Sequence, residues 1–141
     1  MSSAGFEAFF AEMAGALGAD GVNRSAETFQ RYGENTMPGG DRPPAGVVYP
    51  GSTADVQGIV RAANRHRVPL YPISTGNNIG LGSRSASASG QVVVDLVRKM
   101  NRILDIDEKL AVAVSFEAGR PESERRLIRQ ALQREWRDFA L

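Results

Sequence analysis

Apolar residues recur at helical spacing near the start of the chain: Phe6, Phe9, Phe10, Met13 and Leu17, with Glu7 and Glu12 between them. That spacing predicts an amphipathic helix lying on a packed body. A polar, glycine-bearing run comes next and ends in Pro38-Gly39-Gly40-Asp41. Apolar runs then alternate with turn signals. Val47-Val48-Tyr49 reads as a short strand closed by Pro50-Gly51. Ser52-Thr53-Ala54-Asp55 resembles a capping box, and Val56, Ile59, Val60 and Ala63 follow as one buried helical stripe. Residues 68–73 are apolar but interrupted by Pro69 and Pro72, which predicts a short strand near a sheet edge. Val92-Val93-Val94-Asp95-Leu96 is a third strand, and its run of valines predicts cover on both faces. Residues 103–107 and 110–116 flank the polar Glu108-Lys109 and read as a hairpin. The pattern as a whole predicts an α/β (α+β) fold, a small sheet built on a βαβ unit with a right-handed crossover.

Three stretches differ in character: an N-terminal helix with its polar connection (1–42), a packed body (43–119), and an arginine-rich helical tail (120–141). The 141 residues suit one domain, and a 42% hydrophobic, 23% charged composition is that of a globular chain. A net charge of +1 provides no field to attract nucleic acid or an anionic membrane. The tail's arginines alternate with Glu122, Glu124, Glu135 and Asp138, as on a solvated helix face. There is no cysteine, so disulfides, thiolate metal sites and cysteine nucleophiles are excluded together. With no secretory signal pattern at the start, the expected location is cytoplasmic. The lone histidine, His66, stands between Arg65 and Arg67 at a helix end and reads as a solvated C-terminal residue. No metal-ligating set and no catalytic residue emerges; Tyr49 and Tyr71 read as packing residues, and Asp105, Asp107 and Glu108 as exposed positions before a turn.

The candidate chemistry lies in Ser74-Thr75-Gly76-Asn77-Asn78-Ile79-Gly80-Leu81-Gly82-Ser83, which leaves the carboxyl end of the second strand. In open α/β sheets that edge binds ligands. Gly76, Gly80 and Gly82 permit positive φ and close backbone approach, and Asn77 and Asn78 tolerate the left-handed region. Successive amides turned inward make a nest for an anion such as a pyrophosphate. The Gly-x-x-x-Gly-x-Gly spacing is neither the dinucleotide fingerprint nor the P-loop. The same composition also suits a flexible surface loop. The β-prone Pro72-Ile73-Ser74 before it and the valine strand after it favour the ligand loop.

Three segments in order then resemble the FAD-binding domain of the vanillyl-alcohol oxidase and p-cresol methylhydroxylase family: residues 72–82, residues 90–96, and Met100-Asn101-Arg102-Ile103-Leu104-Asp105-Ile106-Asp107. The resemblance runs from about residue 45 to residue 114. It implies the first subdomain of such a domain, with FAD as cofactor and Pro72, Ile73, Ser74, Thr75, Gly76, Asn77, Asn78, Ile79, Gly80, Gly82 and Ser83 around its pyrophosphate. It also implies oxidation of a para-substituted phenol by hydride transfer to FAD, with oxygen or a cytochrome as final acceptor. The family usually has arginine where this chain has Asn77, and often tyrosine where it has Leu81. Residues 113–119 allow two registers against the family's Val-Glu-Pro-Gly-Val-[Thr/Ser]-Phe segment. Either Glu117-Ala118-Gly119 stands for Glu-Pro-Gly or, preferably, Ser115-Phe116 matches the [Thr/Ser]-Phe at the segment's end after a short deletion. The expectation is an N-terminal piece of a phenol-oxidising flavoenzyme, inactive alone; the rival from another class is a non-catalytic remnant or adaptor whose helical tail binds a partner.

Overall fold

The computed structural model describes residues 3–35, 38–74, 76, 84–107 and 112–115. Helix α1 (Ser3–Leu17) carries the N-terminal apolar stripe. A short 3-10 turn (Ala19–Gly21) and the two-residue strand β1 (Val22–Asn23) lead into helix α2 (Ala26–Gly33). Strand β2 (Gly46–Val48), helix α3 (Thr53–His66), strands β3 (Leu70–Ile73) and β4 (Val92–Asp95), and the pair β5 (Ile103–Asp107) and β6 (Val112–Ser115) complete the order.

The main sheet runs β1-β2-β4-β3, with β2, β4 and β3 parallel and β1 antiparallel to β2. β4 inserts between the two strands of the β2–α3–β3 unit, pairing Val48 with Val94 on one side and Ile73 with Asp95 on the other. β5 and β6 form the expected antiparallel hairpin, with an irregular register between Ile103 and Asp105.

Pleating divides the sheet's side chains between two cores. On one face Val48, Val92 and Val94 meet Phe9, Phe10 and Met13 of α1 and Ile59, Ala62 and Ala63 of α3. On the other, Val47, Tyr49, Val93 and Ile73 meet Tyr32 of α2. The valines of β4 are therefore covered on both sides, as their unbroken run predicts. The close approach of α1 to β2 depends on Gly46, where a Cβ would stand 2.5 Å from Phe10 Cζ. α3 is capped as its sequence predicts: Asp55 N–H donates to Ser52 Oγ at 3.1 Å, and Asp55 Oδ2 accepts from Gly51 N–H at 2.8 Å.

Three expectations are corrected. α2 and β1 arise within the stretch read as a polar run. α2 is eight residues long, capped by Ser25 Oγ accepting from Thr28 N–H at 3.2 Å, and is too short for apolar periodicity to reveal. Val60 is 45% exposed, because the face of α3 that meets α1 and the sheet is centred on Ile59, Ala62 and Ala63. His66 is not simply solvated. Its Nε2 lies 2.9 Å from Glu12 Oε2, while Arg65 Nη1 donates to Glu12 Oε1 at 2.8 Å, so α3's end is tied to α1.

β3 is an edge strand of the main sheet, as its prolines predict. Pro69 and Ile73 both turn their carbonyls to β4, accepting from Val92 and Leu96 at 2.9 and 3.1 Å. Alternate residues of a strand face opposite sides, so the nitrogen of Pro72 faces away from β4.

Candidate functional site

Three parallel strands end together on one side of the sheet, where Val48 pairs with Val94 and Ile73 with Asp95, and Tyr49 follows the end of β2. Of the residues singled out from the sequence, Pro72 is exposed and Ile73 is buried in the Tyr49–Val93 cluster. Ser74 is exposed just past the strand, and Gly76 is half-buried. Thr75, Asn77, Asn78, Ile79, Gly80, Gly82 and Ser83 lie outside the described residues.

Gly76 has φ +66°, a conformation an L side chain adopts only with strain. The space beside it is also taken. A Cβ there would lie 2.2 Å from Arg84 Cγ and 2.9 Å from Arg84 Nε, so the arginine stem crosses the bare backbone of the glycine. The return into β4 is pinned: Gln91 Oε1 accepts from Ser87 Oγ at 2.9 Å and Ala88 N–H at 3.0 Å, and Gly90 N–H donates to Pro43 O at 2.9 Å. The chain thus leaves β3 and re-enters β4 through fixed points, with a guanidinium between them.

Beside this edge, between α2 and the ends of β2 and β4, lies a polar cavity of about 420 Å³. Its floor is Asp95, only 8% exposed, with both carboxylate oxygens engaged. Tyr32 Oη donates to Oδ2 at 2.5 Å and Val97 N–H donates to Oδ1 at 2.9 Å. Burial, then the hydrogen bond to Asp95, pushes the Tyr32 phenol well above the ordinary tyrosine range, so it stays a proton donor. Arg98 covers the Tyr49 ring, its guanidinium carbon 4.5 Å from the centroid. Sequence reasoning missed the α2 wall of this cavity; the Ser25 cap was the one local signal for it. Among the described residues no group of three or more His, Cys, Asp or Glu could hold a metal ion.

Three parallel strands, a left-handed glycine just past the carboxyl end of one of them, and an adjacent cation stand together at this side of the sheet. Residues 44–124 match the family described as "FAD binding domain". The chain belongs to this family of flavin-dependent oxidoreductase domains. It is 52% identical over 73 residues to the 1'-carboxy-chondrochloren decarboxylase of Chondromyces crocatus, covering 52% of this chain and 13% of that protein. It is 36% identical over 100 residues to the 4-cresol dehydrogenase [hydroxylating] flavoprotein subunit of Pseudomonas putida, covering 70% of this chain and 19% of that protein. The fold matches the 4-ethylphenol oxidase of Gulosibacter chungangensis with a TM-score of 0.75 at 37% identity, over 82% of this chain and 22% of that one. The chain therefore spans about a fifth or less of the length of these relatives. FAD is the cofactor of the family, and the chemistry of the described residues suits its anionic part: Gly76 has a positive φ just past the end of β3, and Arg84 beside it carries a positive charge.

Proposed function

We propose that residues 74–83 wrap the pyrophosphate of FAD in an oxidoreductase that acts on para-substituted phenols, and that residues 43–119 form the first part of its FAD-binding domain. Bound FAD supplies a hydride acceptor; a cytochrome or oxygen would then take the electrons. This chain's part is to hold the nucleotide. Ser74 and Gly76 would bring the backbone to the ligand at the carboxyl end of β3, and the entry into β4 is held by Gln91. The observation that carries the binding role is the left-handed glycine at the end of a parallel strand, within a matched FAD binding domain. The phenol class is supported by relatives of both kinds, in sequence and in fold, whose names carry 4-cresol and 4-ethylphenol.

Titration of FAD into the purified chain, followed by flavin fluorescence, tests the binding role. Saturable quenching is expected, and its absence would remove it. Asp95 is buried, and its two oxygens accept from Tyr32 Oη and Val97 N–H, so it is committed to holding the fold. The chain with FAD, vanillyl alcohol and a dye acceptor is therefore expected to give no turnover that follows the protein through gel filtration. For the substrate class, the equivalent segment of 4-cresol dehydrogenase can be replaced by residues 44–124. A hybrid that keeps its flavin yet loses 4-cresol oxidation would count against the phenol assignment.

A further inference from the structure

We propose that Arg84 is the cation that meets the negative charge of the nucleotide at the carboxyl edge of β3, an inference that rests on the FAD-binding reading above. The ten residues 74–83 contain no lysine or arginine, so within them a pyrophosphate finds only amides and hydroxyls. Arg84 is the next residue, and the fold lays it back across the start of the loop. Its Cγ, Nε and Cδ stand 2.2, 2.9 and 3.0 Å from where a Cβ on Gly76 would be.

Among the described residues, no acid is paired with the charge of Arg84. Arg24, Arg65 and Lys99 each pair with a carboxylate, and Arg31 and Arg98 each lie over a tyrosine ring. Arg84, half-buried, makes no ion pair or hydrogen bond to another described residue. A partly desolvated guanidinium without an acid is costly unless something anionic completes it. A phosphate does so with good geometry, because the planar fork donates two parallel bonds to two oxygens. Gly76 serves this arrangement twice: its φ turns the chain, and its missing Cβ leaves the channel through which the arginine stem runs.

The test is FAD titration of the full chain and of Arg84→Gln, Arg84→Lys and Arg61→Gln, at about 50 mM and about 500 mM salt. Arg61 is exposed on α3, and its replacement removes the same unit of charge away from the loop. Arg84→Gln should weaken FAD binding roughly tenfold at low salt, with the difference shrinking at high salt as screening grows. Arg84→Lys should recover part of the affinity and keep its salt dependence, while Arg61→Gln should match the unaltered chain. Equal affinity in Arg84→Gln overturns the role of Arg84 and leaves the FAD reading standing. No binding by the unaltered chain overturns both. Circular dichroism melts check that each variant is folded. Should Arg84→Gln fail that check, Arg84→Lys decides: binding indifferent to salt in it and in the unaltered chain overturns the proposal.

Discussion

At the scale of single residues, the proposed site turns on two positions, Gly76 and Arg84, that lie against each other. Gly76→Ala should cost about 1–2 kcal/mol from the left-handed φ alone. It should also displace Arg84, whose Cγ would overlap the new methyl at 2.2 Å. A lowered urea midpoint together with weaker FAD binding is the expected pair of results; a stable variant with unchanged affinity would contradict it. Tyr32→Phe removes the donor to the buried Asp95 and should cost about 1–3 kcal/mol in urea unfolding, since the carboxylate oxygen is left unsatisfied. The need for glycine at 76 was legible in the sequence, because a loop leaving a strand end calls for positive φ. The importance of Arg84 was not. It stands among small residues, and only the return path of the chain brings it to Gly76. Similarly, no local pattern could join His66 to Glu12, 54 positions earlier.

Among the elements, legibility followed length and local chemistry. The cap of α3 and the double cover of β4 could be read directly, because Ser52 with Asp55 and three successive valines each carry their own cause. α2 was not read, since eight residues span little more than two turns and hold one buried aromatic, and its place over Asp95 depends on a contact 63 positions away. The clasp between α1 and α3 gives a pH signature. Hydrogen bonds from His66 and then Arg65 hold the Glu12 carboxyl below its ordinary value of 4.5. A carboxyl depressed in the folded state contributes stability that is full above its unfolded value and lost as pH falls through the folded one. Unfolding measured from about pH 7 down to about pH 3 should therefore show a steeper acid loss in the unaltered chain than in Glu12→Gln. The effect should be small, because the pair is exposed. Parallel curves for the two proteins would show that the clasp does not hold the helices in solution.

For the whole molecule, the small α/β sheet with its βαβ unit was legible from the alternation of apolar runs and turns, while the helix that covers its second face was not. The order β1-β2-β4-β3 was not predictable in that way, because pairing depends on which strand slides between two others, and the sequence shows only their succession. The same order leaves β3 at the rim, and the proline there has a bearing on how copies of the chain behave in a crowded solution. A bare strand rim is a template for a second copy, which adds itself by main-chain bonds. With its nitrogen turned outward, Pro72 deletes a donor from that rim, so a stacking neighbour finds a gap in the ladder. Pro72→Val restores the donor and the β-propensity together. Light scattering of concentrated samples should then rise over hours in the variant while the unaltered chain stays clear; equal scattering would mean that the rim is already shielded by other means.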